Sequence, residues 1–122
     1  MKKASFTPVL LSVIALALGA CAQAPKTLYH WQGYNQTVYE RLQNDGSSLG
    51  EQIDKMEQYF VQARDKQLAV APGAHAHMGL LLVDAGQIDA AHLQFEQEKR
   101  LFPESSTFMD FLLKRKEKGE KK

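Results

Sequence analysis

Two proline breaks, at Pro72-Gly73 and at Pro103, bracket the segment that most limits how this chain can fold. Ala85-Gly86 divides the segment once more, because glycine readily ends a helix. Residues 74–84 are apolar nearly all round, which is typical of a helix buried in the middle of a domain. Residues 87–102 are apolar on one side and predict a second, amphipathic helix. The segment is therefore predicted to form a tight pair of helices.

Residues 72–105 also resemble one tetratricopeptide repeat, a helical hairpin of about 34 residues. Counted from Pro72, this sequence has at the signature positions of that repeat Gly79, Gly86, Ala91, Phe95 and Pro103. The resemblance implies that small residues let the two helices approach, that the phenylalanine fills the groove between them, and that proline ends the pair. The pattern departs at His75, Leu82 and Glu98, where tryptophan, tyrosine and alanine are common. A generic helical hairpin is the alternative.

Helical patterns also occur on both sides of this segment. Periodicity predicts helices over residues 34–42 and 49–68, and Ser48 with Glu51 matches a capping box at the start of the second. A fifth helix is predicted from Ser105 or Ser106, with an inner side formed by Phe108, Met109, Phe111, Leu112 and Leu113. No segment has a convincing strand pattern. The expected fold is all-α, a short tetratricopeptide-like helical solenoid of about two helix pairs plus a capping helix.

The start of the sequence reads as an export signal. Lys2 and Lys3 precede an apolar stretch over residues 9–18, which is too short for a spanning helix of about 20 residues. Leu18-Gly19-Ala20-Cys21 then resembles the lipobox of bacterial lipoproteins. The resemblance implies cleavage before Cys21 and a diacylglycerol and N-acyl lipid on that residue as the lipid attachment. The alternative is an ordinary secretory signal with a coincidental cysteine.

These features divide the chain into four parts. We expect a signal peptide over residues 1–20, a lipidated tether over 21–28, a tetratricopeptide-like domain over 29–113 and a basic tail over 114–122. The tail has six basic and two acidic residues, and it is either a solvated helix end or a contact with anionic lipid or an acidic partner. Ala22 follows Cys21, which by resemblance implies anchoring in the outer membrane, where the periplasmic face is expected.

An apolar groove is the predicted contact surface. By the same repeat count, Ala76, Leu80 and Val83 should line the concave side, where such domains bind extended or helical segments. Trp31 and Tyr34 are further candidates as exposed aromatic residues, because both types are frequent at interface hot spots. The alternative is that the first helix or residues 29–34 cover the groove.

Catalytic and metal-binding patterns are weak. His75 and His77 are two residues apart, so on a helix they point in different directions. Glu96 and Glu98 are predicted to lie on a solvated helix face. Cys21 is the one cysteine of the sequence, so no disulfide can form within the chain. We therefore expect no catalytic residues, no metal and no cofactor, and the near-neutral charge gives no reason to expect nucleic acid.

A family resemblance extends over about residues 28 to 115. It is carried by Tyr29-His30-Trp31-Gln32-Gly33-Tyr34, Pro72-Gly73-Ala74-His75-Ala76, Leu101-Phe102-Pro103-Glu104-Ser105 and Phe108-Met109. The family comprises short bacterial lipoproteins of unknown function, encoded beside a lipoprotein similar to the curli-secretion channel. The resemblance implies a periplasmic interaction scaffold or assembly factor for an outer-membrane lipoprotein complex. A small-ligand carrier and a peptidoglycan-acting envelope enzyme are the alternatives.

Overall fold

The computed structural model describes residues 27–43 and 46–119, with side chains as far as Lys114. Five helices hold nearly all of the regular structure of these residues. They are α1 (Tyr34–Gln43), α2 (Leu49–Asp65), α3 (Ala74–Asp84), α4 (Ile88–Leu101) and α5 (Ser106–Gly119). A 3₁₀ turn over Pro103–Ser105 joins α4 to α5. The predicted all-α class is confirmed.

Helix α2 begins as predicted and ends earlier than predicted. The Glu51 amide donates to Ser48 Oγ at 3.2 Å and the Ser48 amide donates to Glu51 Oε2 at 2.9 Å, which completes the capping box. At the other end Gln67 has a left-handed φ of 54°. The Gln67 amide donates to Arg64 O and the Leu68 amide to Ala63 O, both at 2.9 Å, which is the Schellman arrangement.

A short parallel ladder corrects the prediction that the chain has no strand. Strand β1 (Tyr29–His30) lies beside strand β2 (Ala69–Val70), with Tyr29 opposite Ala69 and His30 opposite Val70. Two residues a side are too few to show the alternation by which strands are recognised in a sequence. The ladder fixes the segment before α1 to the link between α2 and α3.

Helix α3 is the centre of the domain, as its apolar sequence predicted. Seven of its residues are buried, namely Ala74, Ala76, His77, Met78, Gly79, Leu81 and Leu82. Gly79 faces Phe95 of α4 so closely that a Cβ there would lie 2.5 Å from the ring carbon Cε1. Ala91 of α4 is also fully buried. These small residues let the backbones of α3 and α4 approach, and Phe95 fills the space between them.

Helix α5 packs on α4 through a narrower face than predicted. Met109 is buried, and Lys99 of α4 forms an ion pair with Asp110 at 2.6 Å. Phe108 and Phe111 are 54 % and 52 % exposed, so their predicted place on the inner side is wrong. Only one side of α5 packs against the core, so part of the apolar pattern of this helix remains exposed. The predicted basic tail starts within this helix.

Candidate interaction surface

One side of α3 carries the three residues predicted to line a groove. We name Ala76, Leu80 and Val83 the α3 stripe. Ala76 is buried, with 9 % of its surface exposed, whereas Leu80 and Val83 are partly buried at the edge of the core. Leu80 and Val83 therefore keep some apolar surface in contact with solvent.

Neighbouring helices cover the other sides of α3. Arg41 of α1 forms an ion pair with Asp84 at 2.6 Å, next to the end of the α3 stripe. His75 stacks on Phe60 of α2 with ring centroids 4.5 Å apart, and its Nδ1 lies 2.6 Å from Gln94 Oε1 of α4. These contacts connect α3 to α1, α2 and α4.

Trp31 and Tyr34 lie side by side at the start of the domain. Their ring centroids are 6.3 Å apart, and Trp31 also meets the edge of Tyr29 at 6.1 Å. Trp31 is 41 % exposed, as expected of a contact residue. Tyr34 is only partly buried, and its ring lies 6.1 Å from that of His77. Tyr34 thus connects the exposed Trp31 to helix α3.

Tyr59 is a structural residue that sequence reasoning did not single out. Its hydroxyl donates to His30 O at 2.7 Å and accepts from the Ala71 amide at 2.7 Å. Its ring stacks on His30 and lies 5.7 Å from Tyr34. One buried side chain therefore holds both strands and α1, which positions the Trp31 segment. A tyrosine within the apolar positions of α2 was the available signal, since a buried hydroxyl needs partners.

Glu98 is buried, so its predicted place on a solvated face is wrong. Its Oε1 accepts from the Gly73 amide at 2.6 Å and its Oε2 from the Ala76 amide at 3.3 Å. Gly73 precedes α3 and has no side chain to cap it, so a carboxylate from α4 takes that position. Two signals could have identified Glu98: a glycine at the N-cap, and a glutamate where the repeat has alanine. Glu96, by contrast, is exposed, as predicted.

Burial and Glu98 set the ionisation of the residues around α3. Burial first, and the negative charge of Glu98 second, raise the pKa of Tyr34 above its ordinary value. Burial also raises the pKa of Tyr59, opposed by the hydrogen bond from Ala71. Burial and then the nearby Arg41 lower the pKa of His77 to about 4, which favours the neutral imidazole. Tyr34, Tyr59 and His77 are therefore uncharged near neutral pH.

A groove of about 180 Å³ lies between α1 and α2. Its lining includes four amide side chains, those of Gln32, Gln36, Gln58 and Gln62. Amides both donate and accept hydrogen bonds, so these side chains offer polar contacts along the groove.

Metal clusters and spanning helices are absent from the described residues, and the predicted lipid attachment lies outside them. Residues 27–43 and 46–119 contain no group of three or more histidine, cysteine, aspartate or glutamate side chains arranged to hold a metal. No helix within the same ranges has the length and apolarity needed to cross a membrane. Cys21, the signal segment and the tether up to residue 26 lie outside the described residues.

Residues 28–112 match the family model of a domain of unknown function, DUF4810. This chain belongs to the DUF4810 family. The matched range begins just before β1 and ends within α5, so it includes every contact described above for the α3 stripe, Trp31 and Glu98. No curated protein and no solved structure shows significant similarity to this DUF4810 member.

Proposed function

We propose that this DUF4810 protein is a lipid-anchored envelope protein that acts as an interaction scaffold or assembly factor for an outer-membrane lipoprotein complex. The proposed partners are envelope proteins, among them a lipoprotein similar to the curli-secretion channel. The proposal has two parts, an anchor at Cys21 and a contact surface on the helical domain, and each part has its own support and its own test.

The anchor part is supported by the sequence before the domain. Leu18-Gly19-Ala20-Cys21 has the layout of a lipobox, after a basic start and a short apolar stretch. The acyl chains would supply membrane affinity at roughly 0.8 kcal/mol for each buried CH₂, which is sufficient for stable anchoring with several chains. The tether between Cys21 and β1 is short, so the domain would stay near the membrane surface.

The contact part is supported by the likeness of α3 and α4 to a tetratricopeptide hairpin. The close approach of Gly79 to Phe95 and the left-handed turn at Gly86 have the steric roles expected in that repeat. Helices α1 and α2 would then be a diverged preceding pair, and α5 a capping helix. Such repeats present the first helix of each pair to a bound segment, and in α3 that side carries the α3 stripe.

The observation that carries the proposal is the partial exposure of apolar side chains on the most buried helix. Leu80 and Val83 retain solvent contact on α3, and Trp31 is 41 % exposed beside Tyr34. Apolar and aromatic side chains held on a rigid scaffold lose little entropy when a partner covers them. The expected partner segment is apolar on one side, in an extended or helical form.

The first experiment compares crosslinked complexes from intact cells for the wild type, Leu80→Glu and Leu93→Glu. Leu93 is 70 % exposed on α4 and outside the stripe, so Leu93→Glu is the matched control for the added charge. A partner retained by Leu93→Glu and lost in Leu80→Glu supports the stripe as the docking surface. Circular dichroism must show native helicity in both variants.

The other outcomes separate the parts of the proposal. Equal recovery of one partner by all three forms excludes the α3 stripe, and Trp31→Ala then tests the aromatic pair. Incorporation of a labelled fatty acid into wild type, and its loss in Cys21→Ser, tests the anchor without reference to any partner. Absence of label in the wild type contradicts the anchor part alone.

A further inference from the structure

Helix α5 has an outer face that is both apolar and basic. Phe108 and Phe111 are one turn apart and each is about half exposed, at 54 % and 52 %. Lys114 follows one turn later and is also exposed. The opposite side of the helix carries Met109, which is buried against the core. Large aromatic side chains on an outer helix face next to cations are typical of helices that lie in a membrane interface.

The charges next to this exposed face of α5 also favour contact with a membrane. Residues 114–122 contain six basic and two acidic residues, whereas Asp110, the acidic residue nearest to the aromatic pair on α5, forms an ion pair with Lys99 at 2.6 Å. Its negative charge is therefore locally balanced. The sequence from Phe108 onward accordingly combines aromatic residues with a net positive charge, which complements an anionic lipid surface.

The start of the chain places this face near the proposed anchor. The ring of Tyr29 packs against Phe102 with centroids 6.0 Å apart, and Phe102 immediately precedes the turn that leads into α5. Cys21 is eight residues before Tyr29, and an extended chain spans at most about 3.6 Å per residue. An acyl chain on Cys21 would therefore hold Tyr29 within roughly 30 Å of the bilayer, and Phe102 is in contact with Tyr29.

We propose that α5 lies on the surface of an anionic phospholipid bilayer, with Phe108 and Phe111 in the interface and Lys114 against the lipid headgroups. The occupant of this face is the membrane that carries the lipid anchor, so the inference rests on the proposed anchor at Cys21.

The test measures binding of the mature chain, residues 21–122 with Cys21→Ser, to phospholipid vesicles. Without acyl chains, binding reports the protein surface alone. Vesicles of phosphatidylcholine with about one quarter phosphatidylglycerol are compared with pure phosphatidylcholine, in low and in high salt. We expect binding to the anionic vesicles that weakens as salt rises, because screening reduces the attraction between charges.

Two variants and two controls assign the binding to α5. Lys114→Gln is expected to weaken binding about five-fold, the effect of one basic residue near an anionic surface. Phe108→Gln is expected to weaken it at least as much. Leu93→Gln and Arg64→Gln alter an exposed apolar residue and an exposed cation on other helices, and are expected to bind as the wild type does. Helicity is checked for each.

Three results would overturn the proposal: no binding to anionic vesicles, equal binding to neutral vesicles, or binding unchanged by both Phe108→Gln and Lys114→Gln. The vesicle result does not depend on acylation, because Cys21 is replaced. Absence of fatty-acid label on the wild type in cells, together with vesicle binding, would contradict the anchor and leave the α5 surface in place. Labelling without vesicle binding would contradict the α5 surface alone.

Discussion

The two helix pairs, α1–α2 and α3–α4, each contain one helix whose caps can be compared, α2 in the first and α3 in the second. The N-terminal ends of these two helices are stabilised in opposite ways. Helix α2 has a cap from its own sequence, since Ser48 and Glu51 exchange hydrogen bonds at its start. Helix α3 has glycine at that position and is capped by Glu98, which is distant in sequence. The cap of α2 can be recognised in the sequence because its two residues are three positions apart. The cap of α3 cannot be recognised in this way, because its carboxylate comes from another helix.

At their C-terminal ends the order is reversed, and α3 has the more favourable residue. Both helices finish in the same Schellman arrangement, with the left-handed position occupied by Gly86 after α3 and by Gln67 after α2. Glycine adopts this conformation without a steric cost, whereas glutamine does not. Helix α2 is therefore favourable at its start and strained at its end, while α3 depends on tertiary contacts at its start and ends favourably.

Removal of the distant cap has the largest expected effect. Glu98→Ala leaves the Gly73 and Ala76 amides without their acceptor and opens a cavity, so we expect a loss of about 3 kcal/mol in the free energy of unfolding. Ser48→Ala, at the local cap of α2, should cost only about 1 kcal/mol. Urea denaturation compares the two. Glu98→Gln keeps one acceptor and should lose less than Glu98→Ala; equal losses in all three variants would contradict the comparison.

Close packing in the second pair predicts a large difference between two glycines in helices. Gly79→Ala forces a Cβ against Phe95 and should cost about 2 kcal/mol, although alanine favours helix. Gly50→Ala, in the first pair, meets nothing within 4 Å and should be neutral or stabilising by roughly 0.5 kcal/mol. Thermal unfolding measures both. An unchanged unfolding temperature for Gly79→Ala would contradict the close packing of α3 against α4.

Acidification should destabilise the second pair through His77. Its pKa is about 4 in the folded protein and 6.5 in an unfolded chain, so the unfolded state binds the proton first. Stability is fully retained above pH 6.5 and is lost as the pH falls towards 4. At pH 5 the free energy of unfolding should be about 2 kcal/mol lower than at neutral pH. His77→Phe should reduce this pH dependence of unfolding, whereas His92→Phe, at an exposed position, should preserve it.

The smallest expected effect is at the left-handed position after α2. Gln67→Gly relieves strain and should raise the free energy of unfolding by about 0.5 to 1 kcal/mol, less the entropy that glycine gains in the unfolded chain. Gly86→Ala introduces the same strain after α3 and should lower it by about 1 kcal/mol. Opposite signs in chemical denaturation would support the comparison of the two helix ends, and equal signs would contradict it.

Local signals predicted much of the fold. Periodicity and breakers gave α3 with its observed bounds, and the capping box gave the start of α2, because these features depend on residues a few positions apart. Position 67 was missed because glutamine carries no turn signal, and Phe108 was assigned to the core because periodicity identifies an apolar face without showing what covers it.

The sequence named Trp31 and Tyr34 as candidate contact residues, but it did not predict the contacts that hold them in place. Trp31 and Tyr34 are adjacent, and Trp31 is exposed as expected, yet their position depends on Tyr59, which bonds both His30 and Ala71. Those partners are far apart in sequence, so no local pattern contains them.

The sequence by itself determined the all-α class, the order of the five helices and the tight hairpin at Gly79 and Phe95, since propensity, periodicity and steric size act locally. Tertiary structure alone decided that Glu98 caps α3, that β1 joins the link after α2, and that the core leaves one face of α5 exposed. The physical reason is that a buried polar group takes whichever partner packing brings within hydrogen-bond distance, and sequence separation places no limit on that choice.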